Sequence, residues 1–166
     1  MSCAIRTLST KAVSAQPQLT LALLKPDLLA NPSAVQQIIH EISANPALSI
    51  IHQKTDFWTT ARATQFYSEH QGRFFFGRLV GYMTSGPILA MALRGPHAIA
   101  DWRAMLGLTH PVRMRLAQPA SLRARFGLTD TRNSFHGSDS MQSAERELRF
   151  VFGDAMVDQW LGSVRK

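Results

Sequence analysis

The run Leu19-Thr-Leu-Ala-Leu-Leu-Lys-Pro-Asp27 decides the fold that the sequence predicts. Its first six residues are mostly aliphatic and carry no charge, and Lys-Pro-Asp ends them, which indicates a buried strand over 19–24. A lysine at the edge of a buried strand loses hydration. An anion partner can compensate for this loss, or the aliphatic stem can carry the charge out to water and avoid it. We therefore treat Lys25 as a candidate anion-binding residue, with a solvated side chain as the alternative.

Hydrophobic periodicity and turn residues divide the rest of the chain into further elements. The expected helices lie between Asn31-Pro32 and Asn45-Pro46, after Thr59 through Tyr67, over 74–84, from Gly95-Pro96 to Gly107, around Arg123 to Phe126, and from Met141 through Val151. The expected strands cover 48–58, 88–93 and a short stretch near Phe135, and an Arg- and Pro-rich loop covers 108–119. This order predicts an α+β protein, with a ferredoxin-like split βαβ antiparallel sheet and helices on one face of it.

The composition is that of a globular protein with one domain. The chain has 166 residues, of which 45% are hydrophobic and 17% charged, and this length allows a sizeable core. The longest apolar runs are far too short to cross a bilayer. Cys3 is the only cysteine, so an internal disulfide and a cysteine-based metal site are both excluded.

The charge favours an anionic partner. The net charge is +7, and 14 arginines stand against 4 lysines. Arginine holds phosphate through a planar fork of donors, so nucleotides and nucleic acids both fit this balance. A nucleic-acid-binding sheet would interleave exposed aromatic and basic residues, and the strand 48–58 has no arginine and one lysine. The sequence therefore favours nucleotides over nucleic acid.

The amino terminus differs in composition from the remainder. The first 26 residues contain no acidic residue, and the first 14 are rich in serine and threonine, with Arg6 and Lys11 among them. This composition is typical of a mitochondrial transit peptide, and an unstructured tail is the alternative. We therefore divide the chain into a tail or transit peptide, 1–17, and one domain, 18–166. Mitochondria are the expected location, and the cytoplasm is the alternative.

The segment Asn133-Ser-Phe-His-Gly-Ser-Asp-Ser140 is the most informative for chemistry. The glycine-rich phosphate loops G-x-x-x-x-G-K-[ST] and G-x-G-x-x-G are both absent, so side chains would have to hold any phosphate. His136 precedes an expected helix start, which favours anions, and imidazole is a nucleophile near neutral pH. Glu147 could orient that ring, although a solvated ion pair with Arg146 or Arg149 is the alternative. His136 itself could equally be structural or merely exposed.

Five stretches, in the same order along the chain, resemble the nucleoside diphosphate kinase family. They are Leu24-Lys-Pro-Asp27, Phe66-Tyr67 through Arg73 and Phe75, Ser85-Gly-Pro87, Met105-Leu-Gly107, and Arg132-Asn133 with His136-Gly-Ser-Asp-Ser140. The Asn-x-x-His-Gly-Ser-Asp motif is highly specific for that family, and the resemblance runs from about Leu19 to Phe152. The run 127–133 resembles the divergent sixth type of animal enzymes.

The resemblance implies a nucleoside diphosphate kinase that works by a ping-pong mechanism. A nucleoside triphosphate, with Mg²⁺ on its phosphates, would phosphorylate His136, and a nucleoside diphosphate would then accept the phosphoryl group. Ser138 and Glu147 would position His136, and Tyr67 would lie beside it. Arg103, Thr109 and Arg123 would hold the phosphates, Lys25 and Asn133 the phosphates and sugar, and Phe75 and Leu79 the base. No residue is expected to bind the metal directly.

The chain also departs from the family pattern. Asp130 stands where an apolar residue usually faces the base opposite Phe75, and Arg73-Phe-Phe-Phe76 replaces the usual Arg-Pro-Phe-Phe. The loop between Pro111 and Arg123 is longer than in the common enzymes. The sequence also stops soon after Trp160, before the usual carboxyl-terminal segment.

These departures predict a monomer or dimer, not the hexamer typical of the family. The family's hexamer buries this loop near a three-fold axis, where Arg113 and Arg115 would be repeated and bring like charges together. The same departures leave a second function open. The chain would then be a weakly active or inactive relative that binds another protein, in mitochondria.

Overall fold

The strand that opens the domain lies at the centre of the sheet. The computed structural model describes residues 16–164, and within it Gln18–Leu24 forms β1. Every residue from Leu19 to Leu24 is buried, as the uncharged run predicts. Most of the expected tail, 1–17, lies outside the described residues, so its assignment stays a prediction.

The elements follow the expected order with small shifts at their ends. The other strands are β2 (Ser49–Asp56), β3 (Ile88–Gly95) and β4 (Phe135–Gly137). The helices are α1 (Pro26–Leu29), α2 (Pro32–Ala44), α3 (Thr60–Phe66), α4 (Phe76–Met83), α5 (Ala98–Leu106), α6 (Pro111–Ala117), α7 (Leu122–Phe126), α8 (Met141–Phe152) and α9 (Asp154–Val164), with a 3₁₀ turn at Ser68–His70. None of the described helices is both long and apolar enough to span a bilayer.

The sheet has the strand order β2-β3-β1-β4 and is antiparallel throughout. Leu21 lies opposite Ala92 on β3, and Leu23 lies opposite His136 on β4. This confirms the α+β, ferredoxin-like fold, including the short fourth strand near Phe135. It also places His136 on an edge strand, close to the end of β1 where Lys25 follows.

Helices cover both faces of the sheet, whereas the sequence analysis expected them on one. Side chains in a strand point alternately to opposite faces. Leu21 and Leu23 accordingly pack into one buried cluster, with residues of α3, α4 and α8, while Ala22 and Leu24 pack into a second, with residues of α2 and α5. The single-face expectation was wrong because all of β1 is apolar, and such a strand needs cover on two sides.

Two further expectations are corrected. The stretch 108–119 was expected to be a loop, but it contains α6, whose first residue Pro111 needs no amide hydrogen at that position. The single carboxyl-terminal helix is in fact two, because Gly153 takes a left-handed φ of 87° and ends α8. Asp154 then begins α9.

Candidate active site

One cleft of about 440 Å³ gathers most of the residues that the sequence singled out. The resemblance assigned a role in the site to eleven residues. Ten of them line the cleft, namely Lys25, Tyr67, Phe75, Leu79, Arg103, Thr109, Arg123, Asn133, His136 and Glu147. The eleventh, Ser138, is fully buried behind the cleft wall and contacts Glu147. The antiparallel pairing of β1 with β4 brings the two ends of the domain together here.

His136 is held by a short chain of hydrogen bonds that starts on the backbone of β1. Its Nε2 lies 2.8 Å from Oε2 of Glu147, and the Ser138 hydroxyl donates to the same oxygen over 2.7 Å. Ser138 in turn accepts from the amide of Leu21 over 3.2 Å. Glu147 is 5% exposed, so its carboxylate depends on these partners for its solvation.

The charge of Glu147 is preserved despite its burial. Burial raises the pKa of its carboxyl, but the hydrogen bond and charge of His136 and the bond from Ser138 outweigh it, so the net pKa is lowered. An ionised carboxylate accepts hydrogen bonds only, so His136 must present an N–H at Nε2. The other oxygen of Glu147 lies 3.8 Å from a guanidinium nitrogen of Arg146. The ion pair with Arg146, which was the alternative role for Glu147, therefore forms together with the contact to His136.

The backbone around His136 is fixed by close packing against α5. Trp102 donates its indole N–H to the carbonyl of His136 over 3.0 Å. A Cβ at Gly137 would lie 2.7 Å from Cδ1 of that ring, so only glycine lets the indole approach. The unusual backbone in this segment belongs to Ser134, whose φ is 67°.

Lys25 is a buried cation with little compensation from the protein. It is 4% exposed, and its Nζ donates to Oδ1 of Asn133 over 2.8 Å. Burial and the neighbouring charge of Arg123 lower its pKa to about 7, against a smaller opposing effect of Asp27. The partner that would restore its charge is an anion in the cleft.

Arg123 repeats this arrangement across the cleft. It is 7% exposed and donates to the carbonyl of Gly107 over 2.7 Å, while its buried Nε has no partner among the described residues. Burial and the charge of Arg103 lower its pKa to about 10. Buried cations that lack a carboxylate partner favour a ligand rich in negative charge, such as a polyphosphate.

Tyr67 has a hydroxyl that nothing in the described part of the chain satisfies. The side chain is 4% exposed, and its ring lies 6.2 Å from that of His136 in an edge-on arrangement. Burial, with the charge of Glu147, raises the pKa of the hydroxyl, so the group stays protonated and can donate to a ligand. A buried donor with no partner is costly unless a bound group completes it.

A second hydrogen-bond network lies beneath the cleft, and it was not predicted from the sequence. Asp27 accepts hydrogen bonds from the hydroxyls of Tyr82 and Ser134, and Ser134 accepts from the amide of Lys25. This network holds the positive-φ residue that turns the chain into β4. Asp27 belongs to the Lys-Pro-Asp motif, which could have drawn attention to it. Its partners Tyr82 and Ser134 lie more than fifty residues away along the chain, so the motif does not reveal them.

The outer end of the cleft is open. Phe75 is half-buried at the start of α4, Leu79 lies one turn further on, and the ring of His70 meets Phe75 edge-on at 5.5 Å. Asp130 and Thr131 line the same cleft. His70, Thr131 and His110 also line the cleft and were not predicted as site residues, because none of them follows a hydrophobic periodicity.

The cleft has carboxylates but no ready-made metal cage. Glu69, Asp130, Asp139 and Glu147 are its acidic residues. Nowhere in residues 16–164 do three His, Cys, Asp or Glu side chains gather as a metal site would require.

Comparison with known proteins identifies the family. The nucleoside diphosphate kinase family model matches residues 18–157. Nucleoside diphosphate kinase 6 of Danio rerio is 46% identical over 144 residues, which is 87% of this chain and 81% of the relative. Nucleoside diphosphate kinase of Deinococcus radiodurans is 42% identical, over 81% of this chain and 94% of the relative.

A solved structure leads to the same conclusion. The nucleoside diphosphate kinase of Aquifex aeolicus aligns with a TM-score of 0.78 at 35% identity, over 82% of this chain and 95% of that one. The resemblance stated from the sequence motifs, including that to the sixth type, is thereby confirmed. The chain belongs to the nucleoside diphosphate kinase family.

Proposed function

We propose that the protein is an active nucleoside diphosphate kinase, and that it transfers the γ-phosphoryl group of a nucleoside triphosphate through His136. One observation carries this proposal. The Nε2 of His136 is bound to a buried, ionised Glu147, at the wall of a cleft that also holds two desolvated cations. With the proton kept on Nε2, the lone pair of Nδ1 is available as a nucleophile.

The reaction has two matching half-steps. In the first, Nδ1 attacks the γ-phosphorus, the new P–N bond forms, and the bond to the bridging β-phosphate oxygen breaks, releasing a nucleoside diphosphate. In the second, a terminal oxygen of another diphosphate attacks the same phosphorus and the P–N bond breaks. Glu147 stabilises the positive charge that the ring gains as it bonds to phosphorus.

The remaining cleft residues would bind and orient the phosphates. Phosphoryl transfer needs positioning and charge neutralisation more than covalent help from the protein. Lys25 and Arg123 supply buried charge, Arg103 and Thr109 lie at the cleft wall, and the Tyr67 hydroxyl is free to donate. Mg²⁺ bound through the phosphates would neutralise further negative charge, and the cleft carboxylates Asp139 and Glu69 would hold it there.

The test is direct labelling of the intermediate. Purified protein incubated with [γ-³²P]ATP should gain acid-labile label, and later addition of GDP or CDP should move that label into a triphosphate. His136→Ala should abolish both steps, whereas His110→Ala, which removes another histidine of the cleft, should still be labelled. Normal transfer by His136→Ala would refute the mechanism.

One observation favours the alternative function, a weakly active or inactive relative that binds another protein. Val112 and Leu116 lie one turn apart on α6 and are 60% and 90% exposed, and Leu108 is 68% exposed. An exposed apolar face of this kind marks an interaction surface. Purified protein that gains no label from ATP, although it is folded and binds nucleotides, would favour this alternative.

We propose a monomer or dimer as the oligomeric state. The proposal rests on the positive charges that α6 would repeat around a shared axis. Arg115 donates to the carbonyls of Ala124 and Gly127 within the same chain, and these neutral acceptors leave its positive charge in place. Arg113 remains exposed on α6 and keeps the repulsion argument. Light scattering at micromolar concentration would refute the proposal by showing a stable species of six times the chain mass.

We also propose a mitochondrial location, which rests on the basic, acid-free composition of the first residues. A fluorescent protein fused to residues 1–18 should enter mitochondria. The control carries Arg6→Glu and Lys11→Glu and should stay in the cytosol, because these changes remove the positive charge on which import depends. Cytosolic fluorescence from the unchanged fusion would count against the proposal.

A further inference from the structure

We infer that Asp130 gives the site a preference among bases, favouring cytosine and adenine, which carry an amine at the corresponding ring position, over uracil. The inference rests on the proposed function, with the base of the nucleotide stacked on Phe75 at the outer end of the cleft, where Asp130 also lines the wall. It goes beyond that function, because stacking on Phe75 alone would accept every base alike.

Asp130 is fixed at the outer end of the cleft. Its Oδ1 accepts the amide of Thr131 over 2.8 Å, and its backbone carbonyl accepts from Nδ2 of Asn133 over 3.0 Å. Asn133 is itself bound to Lys25. The backbone of Asp130 is therefore connected, through two hydrogen bonds, to the cation that would hold the sugar and phosphates of the same nucleotide.

One oxygen of Asp130 is left for a ligand. Its Oδ2 has no hydrogen bond, and the carboxylate no ion pair, within residues 16–164. Arg78 and Arg132 line an adjoining cavity together with Asp130, yet neither forms an ion pair with it among the described residues. The carboxylate is exposed and can receive a donor from the cleft.

The chemistry of a carboxylate decides which bases it accepts. An ionised carboxylate offers acceptors and no donor. The 4-amino group of cytosine donates to it, whereas uracil presents a carbonyl oxygen at the same position, and two acceptors repel each other. A site that hydrogen-bonds a ligand group rejects the analogue that lacks it.

CDP and UDP differ at that position and therefore form the test pair. Protein phosphorylated at His136 is offered both in competition, and the two triphosphates are quantified. We expect CDP to be preferred by roughly 3- to 10-fold, the effect of one hydrogen bond at an exposed site. Asp130→Asn should bring the ratio close to one, because an amide can turn to present a donor or an acceptor.

Two controls separate this effect from general changes in charge or folding. Asp130→Val, which removes the acceptor entirely, should also give a ratio near one. Asp101→Asn removes one negative charge from α5, outside the cleft lining, and should keep the wild-type ratio. Equal use of CDP and UDP by the unchanged protein, or a ratio that survives Asp130→Asn, would overturn the inference.

The outcome also distinguishes this inference from the function on which it rests. If no acceptor receives phosphate from the protein, the proposed function fails. The relative affinities for CDP and UDP, measured by calorimetry on the same protein, then decide the role of Asp130 by themselves. Transfer to both acceptors without preference would leave the kinase intact and remove only the role of Asp130.

Discussion

The two ends of the cleft are built differently. At the inner end, Glu147 and Ser138 are buried and hydrogen-bonded, and His136 is held between a carboxylate and the β1–β4 pairing. At the outer end, Phe75 is half-buried and Asp130 is exposed. The difference shows where the protein needs fixed geometry. A nucleophile must be aimed at one atom, whereas a stacked base tolerates an exposed surface.

The source of the contrast is the type of element at each end. The inner end draws on two paired strands and on α8, whose backbone groups are satisfied within the fold. The outer end draws on the first turn of α4 and on the turn at 127–132, neither of which pairs with a strand. Segments with few buried contacts open more readily than paired strands do.

The largest effect is expected at the inner end, from Glu147→Gln. An amide can donate to Nε2 and so favour the tautomer with its proton on Nδ1, and in another catalytic histidine site the equivalent change lowers turnover by about 10⁴-fold. We expect phosphorylation of His136 to slow by at least about 10²-fold, as measured by rapid quench. Glu145→Gln, two residues earlier and exposed, should have little effect, and a similar slowing in both variants would mean that Glu147 does not orient the ring.

A smaller effect is expected at the outer end, from Phe75→Ala. The loss of stacking should weaken all nucleoside diphosphates to a similar extent, by roughly 1–3 kcal/mol. Affinities for adenine, guanine and pyrimidine diphosphates measured by calorimetry provide the check. Phe57→Ala is the matched control, because Phe57 is 71% exposed and lies outside the cleft lining, and it should bind nucleotides normally. A loss confined to one base would show that the outer end recognises more than a ring face.

Lys25 lies between the two ends, and its effect should appear as a pH dependence. Its pKa is about 7 without ligand, and phosphate oxygens raise it, so nucleotide binding takes up a proton above pH 7. Affinity should therefore fall as pH rises from 7 to 9, by up to roughly tenfold per unit. Calorimetry in two buffers of different ionisation enthalpy counts the proton. Lys25→Met should remove that part of the uptake, and identical uptake in both proteins would contradict the assignment.

Much of the inner end could be predicted from the sequence, because it depends on local signals. The uncharged run 19–24 predicted a buried strand, and a helix was expected to start after His136. Ser140 caps that helix by accepting from the amide of Ser143. Periodicity also predicted the strand at 88–93 and the helix that ends at Gly107. The sequence motifs, through the family resemblance, also predicted ten of the residues that line the cleft.

The features that the sequence did not predict depend on contacts between residues far apart in the chain. Spacing alone could not decide whether Glu147 faced solvent or His136, since eleven residues of separation fit both. The bond from Ser134 to Asp27 joins residues 107 positions apart, and no local pattern encodes it. The helix α6 was missed because its arginines and flanking prolines are typical of a loop, although Pro111 suits a first helical turn.

The pairing of β1 with β4 has a consequence for synthesis on the ribosome. The bond between Leu21 and Ser138 joins residues 117 positions apart, and that between Lys25 and Asn133 spans 108. Chains emerge from the amino terminus, so β1, β2 and β3 can pair while β4 and Glu147 are still being made. A nascent chain released early would carry Lys25 but no oriented His136. The fold thereby withholds its reactive group until the domain is almost complete.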